Sequence, residues 1–413
     1  MKTSRLLHHK DDLTRLLPFV VGHVDYIPTA LRAFRTLKKE RGNPEIRINH
    51  KITNPFPNEN ERNDLTERAD WLLDMVLVNP QKLIDSMPEI IGRLYQGQWA
   101  IYACTMTVVA LYNIIRIYPD LKDRYISKVP ELIDLLMTEE VKYYDTMEWR
   151  EDPLSSLEGN KSHMTYLSLL AWSMSCYNLV GGDDRYEVLF KSICATLARR
   201  MLNSSDLNLP SFPNNIIFLP DMMVAIIALK NYSIIYDSQY DELVKQWIQN
   251  AKRLWIDNKT GLLISQYYPN GRRSKLQGSY SALNCTYLTM IDEEFALSQY
   301  MQLKQYFMIQ DNYPSIKEYI HKSPTFGFHI DAGPIIDGRS PTGTAFAMGA
   351  ATYFGDWSIR QGLLKTAELA GNTIKKNGKR HYKLAEIMLT GEAITLAMRT
   401  NMNFLTNKSP NQK

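Results

Sequence analysis

Three side chains able to transfer protons each fall in the first turn of a different apolar, helix-forming stretch. They are His163, Asp221 and Tyr280. Imidazole, carboxyl and phenol groups are common general acids and bases in enzymes. We predict that these three are catalytic, with Asp221 as the carboxylate partner of His163 and Tyr280 as an orienting donor. A histidine at a helix start is also expected to contribute little buried surface.

Six further residues are candidates for contacting a substrate. Tyr166 lies three residues after His163 and therefore on the same helix face. Acidic residues in glycine-containing turns could reach a pocket, and aromatic rings could face a cation-like transition state. The predicted substrate-binding residues are Tyr166, Trp99, Tyr102, Asp331, Asp337 and Tyr268.

Each candidate also has a purely structural interpretation. A helix-head histidine can hydrogen-bond a loop, an aspartate can cap a helix, and an aromatic ring can fill the core. If Asp221 lies at the rim of an apolar cavity, however, desolvation favours its neutral form and makes it a usable acid. Acidic residues also crowd the segment 138–162, and most of these are expected to be solvated.

An internal repeat indicates how the candidate residues are positioned. Acidic turns containing Asp120, Asp183, Asp237, Asp292 and Asp356 recur at intervals of about 54 to 64 residues. Each turn follows an apolar stretch and precedes an amphipathic one. An aspartate there is expected to cap the second helix, because its carboxylate accepts hydrogen bonds from free backbone N–H groups.

The polarity of these stretches predicts two layers of helices. Those before each turn are apolar nearly all round, which is typical of an inner layer, and those after it are half polar. Five pairs are visible, and the segments 65–94 and 382–400 could supply a sixth. We therefore predict an all-α fold, an (α/α)6 barrel (toroid) around a central pocket. An α-solenoid is the alternative, although its repeats are shorter, at roughly 34 to 47 residues.

The connections from outer to inner helices are long and should open at one end of the barrel. They span 138–162, 202–219, 257–278 and 309–341. Connections of this length usually carry function. The third should contain a short β-hairpin, since Leu262–Tyr268 and Arg273–Gln277 flank the turn residues Pro269–Asn270–Gly271.

Composition predicts a globular protein with three regions. The chain has 413 residues, of which 45% are hydrophobic and 22% are charged, with a net charge of +4. We predict an N-terminal helical arm and wrapping segment over 1–63, a toroid domain over 64–406 and a disordered tail over 407–413.

The same features predict which partners and cofactors the protein uses. The basic residues are not interleaved with aromatic residues as in nucleic-acid-binding proteins, so we predict no nucleic-acid partner. The apolar stretch 99–118 suits a buried helix better than a membrane span. Four cysteines lie in apolar stretches without CxxC spacing, which favours reduced core residues in the cytoplasm. We predict a small-molecule substrate, no metal and no cofactor, and leave open whether the chain forms a homo-oligomer.

Several short motifs carry a resemblance to a known family. They are Asp152–Pro153 before His163, residues 182–186 (GDDRY), Trp255–Ile256–Asp257 running into residues 261–269 (GLLISQYYP), Ser279–Tyr280–Ser281 and Gly355–Asp356. Over about residues 99 to 369 the chain resembles the linalool dehydratase/isomerase-like family of helical toroids, whose named member dehydrates and isomerises a monoterpene alcohol.

The resemblance implies a lyase or isomerase but not the same catalytic groups. The family's catalytic histidine falls near His163 when counted from Asp152–Pro153, and near Leu169 when counted back from Tyr186. Its dehydratase also uses two cysteines, whereas no cysteine lies between 194 and 285 here. Thiol-assisted dehydration is therefore not expected.

Three functional hypotheses follow from the sequence. The first is a lyase or isomerase that transfers protons to and from a small, largely apolar, terpenoid-alcohol-like substrate in the central pocket. The second is a carbohydrate-active toroid, a glycoside hydrolase or epimerase, in which Asp221 and either Asp331 or Asp337 lie about 5 to 10 Å apart. The third is a binding scaffold without catalysis.

Overall fold

Helices make up most of the protein in the computed structural model, which describes residues 24–40, 52–56, 58–321, 326–329 and 331–404. The α-helices are α1 (Ile27–Glu40), α2 (Glu59–Val76), α3 (Pro80–Asp85), α4 (Arg93–Ile117), α5 (Lys122–Tyr125), α6 (Lys128–Leu136), α7 (Glu139–Trp149), α8 (Met164–Leu179), α9 (Glu187–Leu202), α10 (Leu219–Ile235), α11 (Asp241–Leu254), α12 (Gly278–Thr289), α13 (Glu293–Tyr306), α14 (Pro341–Tyr353), α15 (Trp357–Gly371) and α16 (Leu389–Arg399). The predicted all-α class is confirmed.

Six helices are buried along nearly their whole length. They are α4, α8, α10, α12, α14 and α16, the apolar helices that precede or close the repeats. Each packs against the next in this order, and α16 packs against α4. An apolar surface on every side of a helix is stable only where protein covers every side, so composition places these helices in the interior.

A second set of helices covers this interior with one polar face turned outward. Helices α9, α11, α13 and α15 pack on α8, α10, α12 and α14 respectively, and α2 packs on both α4 and α16. Helices α6 and α7 pack on α4. In α11 the buried residues are Leu243, Val244, Trp247 and Ala251, which share one face at helical spacing.

Four of the five acidic turns are built in two ways, whereas the carboxylate of Asp120 accepts a hydrogen bond from Arg62. Asp292 caps α13 by accepting a hydrogen bond from Phe295 N, and Asp356 caps α15 through Ile359 N. Asp183 and Asp237 instead accept from the backbone N–H two residues further on, which closes the turn before the helix. The capping prediction is therefore confirmed at Asp292 and Asp356 and wrong at Asp183 and Asp237.

Short strands form three sheets among the described residues. Strand β1 (Ile217–Phe218) pairs with β2 (Gln266–Tyr267), and β8 (Thr373–Lys376) pairs with β9 (Lys379–Tyr382). A five-stranded antiparallel sheet has the order β3-β4-β7-β6-β5. Its strands are β3 (Met308–Ile309), β4 (Ser315–Lys317), β5 (Phe326–His329), β6 (Gly333–Ile336) and β7 (Arg339–Ser340).

The predicted hairpin in 257–278 is present. Tyr268 N donates to Arg272 O, Ser274 N donates to Gln266 O, and Tyr267 and Arg273 form an antiparallel bridge, while β2 also pairs with β1. Two sequence-based boundaries differ from the structure. The final helix begins at Leu389, because the preceding residues form β9 and a 3-10 turn. The domain boundary at residue 63 falls inside α2, and the predicted tail 407–413 lies outside the described residues.

The longest helix, α4, is long and apolar enough to cross a membrane by composition alone. Its apolar window is 78% buried inside the protein. Close packing begins at its first turns, where a Cβ on Gly97 would lie 2.8 Å from Cβ of Tyr144 on α7. Glycine is therefore required there for the two helices to approach.

Candidate functional site

Asp221 lies in the first turn of α10 and accepts hydrogen bonds from two neighbouring inner helices. Thr165 Oγ1 on α8 donates to Oδ2 at 3.0 Å, and the Tyr102 hydroxyl on α4 donates to Oδ1 at 3.3 Å. Burial raises the pKa of Asp221, the nearby carboxylate of Asp331 raises it further, and the hydroxyl donors oppose the shift. A buried carboxyl group that favours its neutral form can act as an acid.

A second carboxylate is held by the first turn of α12. The Tyr280 hydroxyl donates to Asp331 Oδ2 at 2.7 Å. Asp331 lies two residues before the start of β6. Burial raises the pKa of Tyr280 well above its usual value, and the charges of Asp331 and Asp221 act in the same direction. The starts of α10 and α12 thus bring Asp221 and Asp331 within each other's electrostatic influence.

The tyrosines around these carboxylates lie deep in the protein. Burial raises the pKa of Tyr102 and of Tyr280 strongly, and both side chains keep part of their surface accessible. Burial also raises the pKa of Tyr95 on α4, and the charges of Asp331 and Glu148 raise it further.

The predicted pairing of His163 with Asp221 is wrong. His163 Nδ1 lies 2.5 Å from Asp145 Oδ2, and Nε2 lies 3.1 Å from Glu151 Oε1. Both ring nitrogens are therefore occupied by other carboxylates. The ring has no exposed surface and packs against Trp149, with ring centroids 5.5 Å apart.

The loop before α8 explains why this histidine is enclosed. His163 is the N-cap residue of α8 and has a left-handed backbone, with φ of 45°. Arg200 on α9 donates to backbone carbonyls of Ser156 and Ser162, which fixes the loop over the ring. The prediction that a helix-head histidine contributes little buried surface is therefore wrong as well.

Three of the other candidates make contacts with residues outside the site. Tyr166 is buried and donates to Leu136 O at 3.0 Å. Asp337 lies 3.9 Å from Arg339 Nε, and Tyr268 lies beneath the guanidinium of Arg272 at 4.2 Å from ring centroid to Cζ. Trp99 is half-buried, one turn before Tyr102 on α4.

Two carboxylates beside the site had no sequence indication. Asp145 lies in the middle of α7, and its position in the sequence is typical of the polar face of a helix. Glu318 is fully buried and accepts from Ser279 Oγ at 3.0 Å, Ser279 N at 3.2 Å and Gln277 Nε2 at 2.9 Å, so it holds the start of α12. Ser279 and Glu318 are 39 residues apart in the chain, so no local sequence pattern indicates that they bond.

The cysteines lie away from this chemistry. Cys104, Cys176, Cys194 and Cys285 are free and buried, which confirms their predicted place in the core. Burial raises the pKa of each thiol far above its usual value. Within the ranges that the structure describes, no group of three or more histidine, cysteine, aspartate or glutamate side chains is arranged to hold a metal ion.

Comparison with known proteins adds no family to these observations. No family model matches the chain, and no curated protein matches its sequence. The resemblance to the linalool dehydratase/isomerase-like family therefore stays a prediction that rests on the motifs given above.

Proposed function

We propose that the six buried helices close into an (α/α)6 toroid whose central pocket is the active site. The support is the cyclic order of contacts from α4 through α8, α10, α12 and α14 to α16 and back to α4. Asp221 and Tyr280 come from the starts of two of these helices, and Asp331 comes from the long connection before α14.

We propose further that the protein is a lyase or isomerase that acts on a small alcohol by acid–base catalysis. The observation that carries this is the hydrogen bonding of Tyr102 to Asp221 and of Tyr280 to Asp331, with the two carboxylates within electrostatic reach of each other. One carboxyl group is biased toward its neutral form and the other accepts a hydrogen bond as a base would. This arrangement divides the roles of acid and base between two similar groups.

The proposed reaction is an elimination of water. Asp221 donates its proton to the substrate hydroxyl, the carbon–oxygen bond breaks and water leaves. Asp331 accepts a proton from the adjacent carbon, whose carbon–hydrogen bond electrons form the new double bond. Return of water at another carbon would complete an isomerisation. Asp221 replaces the thiol acid–base groups of the resembling family, and we assign His163 a supporting role because its ring is enclosed.

A glycoside hydrolase using the same two carboxylates is the second candidate. It is favoured by the electrostatic coupling of Asp221 with Asp331, because glycosidases use a carboxylic acid opposite a carboxylate. Of the two partners considered from the sequence, Asp331 fits this role, since Tyr280 links it to the site, whereas Asp337 lies against Arg339.

The test compares Asp221→Asn and Asp331→Asn with the wild type on small terpenoid alcohols and aryl glycosides. We expect each variant to lose about 10²- to 10⁴-fold in turnover. Asp241→Asn is the matched control, because Asp241 also lies in the first turn of a helix but is exposed. Alkene products would indicate the lyase and free sugar the hydrolase. Full activity of Asp221→Asn on the substrate that the wild type converts would refute the proposed acid.

We also propose that the protein is cytoplasmic and acts without a metal, an organic cofactor or a nucleic-acid partner. The four free, buried cysteines support a reducing compartment. Balanced charges spread along the chain support the absence of a nucleic-acid surface.

A further inference from the structure

Helix α1 packs on the outer helix α15 and is held to the protein at both ends. Just before its start the Tyr26 hydroxyl donates to Ala370 O at 2.5 Å, and at its end Glu40 Oε2 accepts from Asn312 Nδ2 at 2.6 Å. The residues of α1 that are buried share one face at helical spacing, and they are Thr29, Ala33 and Leu37. The opposite face of α1 is therefore fixed in position and turned to solvent.

The exposed residues of α1 are all basic or apolar. They are Pro28, Leu31, Arg32, Arg35, Lys38 and Lys39. Arg32, Arg35 and Lys39 follow one another at steps of three and four residues, which places them in one row along the helix. The row is about 10 Å long, since an α-helix rises about 1.5 Å per residue.

Carboxylates do not neutralise this row. Within the described ranges no acidic side chain pairs with Arg35, Lys38 or Lys39, and Arg32 donates to the amide oxygen of Asn372 at 3.1 Å. Lys38 and Lys39 lie in the last turn, where cations also oppose the helix dipole. That explanation does not extend to Arg32 and Arg35, which lie in the middle turns. The row is thus a surface of positive potential on a rigid support.

We propose that this face of α1 binds the surface of a membrane that contains anionic lipids. Each cation close to such a surface strengthens binding by about fivefold. Leu31 is 45% exposed on the same face, between Pro28 and Arg35, and would enter the layer of lipid headgroups. A nucleic acid offers the same charge but no apolar layer for Leu31. None of these residues belongs to the candidate site, so the proposal does not depend on the proposed reaction.

Sedimentation of the full-length protein with phosphatidylcholine vesicles, with and without phosphatidylserine, tests the proposal. We expect binding only to vesicles that contain phosphatidylserine, and we expect added salt to weaken it because salt screens exposed charges. Arg35→Gln/Lys39→Gln should weaken this binding by about 30-fold, as two lost cations imply. Leu31→Ser should weaken it by about fivefold through the loss of apolar contact.

Lys245→Gln/Arg253→Gln is the matched control, because it removes the same charge from exposed positions of α11. Its binding should stay within about twofold of the wild type. An equal loss in the two double variants would show an effect of net charge alone and overturn the assignment to α1. No binding to phosphatidylserine vesicles would overturn the proposal outright. Binding of a DNA duplex as tightly as the vesicles, unchanged in Leu31→Ser, would assign the face to nucleic acid instead.

Discussion

Replacing His163 with alanine should destabilise the protein strongly, because it removes the buried hydrogen-bond partner of the Asp145 carboxylate. The ring has no exposed surface, and Asp145, which it contacts at 2.5 Å, is 2% exposed. Removal of one partner of a buried ion pair costs about 3–5 kcal/mol, since the other partner stays uncompensated. The cavity left by the ring adds to this cost.

One response of the protein limits the effect. Burial raises the pKa of Asp145, and the hydrogen bond and charge of His163 oppose this shift. When the imidazole is removed, the carboxyl group can take up a proton and lose its charge. We therefore expect a loss of about 3 kcal/mol, at the lower end of the range for broken buried pairs.

The assay is urea unfolding followed by circular dichroism at neutral pH. His381→Ala is the matched control, because His381 is also buried but its carboxylate partner, Glu386, is about half exposed. Its loss should cost no more than about 2 kcal/mol, since the exposed partner can be solvated by water.

A double-mutant cycle separates the pair from the cavity. We expect the double variant His163→Ala/Asp145→Ala to be at least about 2 kcal/mol more stable than the sum of the single variants implies. A cost of His163→Ala below about 1 kcal/mol, or additive single effects, would refute the view that the buried pair holds the start of α8.

Three further predictions concern the rest of the fold. Gly97→Ala should destabilise the protein by about 1–3 kcal/mol in urea unfolding, because the new Cβ would lie 2.8 Å from Cβ of Tyr144 on α7. The control is Gly391→Ala in α16, where the new Cβ meets no atom within 4 Å and the change should be neutral or stabilising. The four thiols should resist Ellman's reagent in the native protein and all react in denaturant; rapid labelling of any native thiol would contradict their burial. Burial alone would raise the pKa of Glu61 and Asp64, but Arg399 and its neighbouring arginines outweigh it and lower both values. The native state therefore binds fewer protons than the unfolded state, so stability should be full above about pH 5 and fall below it, and the fall should be shallower in Asp64→Asn. An unchanged slope in that variant would remove Asp64 from the acid response.

The sequence by itself determined which segments form the buried helices. An apolar residue at nearly every position, as in α8 and α10, is stable only where a helix is covered on all sides, so composition alone indicates the interior. The polar face of α11 is encoded in the same way by residues at helical spacing. The candidate residues at the helix starts could also be found, because Asp221 and Tyr280 interrupt runs that are otherwise apolar.

Only the tertiary structure decided which of these side chains meet. Asp331 reaches Tyr280 from a short-stranded sheet whose strands of two to four residues are too brief to show a period. His163 was paired with Asp221 on sequence grounds, but the outer helix α7 lies closer and presents Asp145 to it. A sequence records the spacing of residues along one helix, whereas the partner of a buried polar group depends on which neighbouring helix packs beside it and in what rotation.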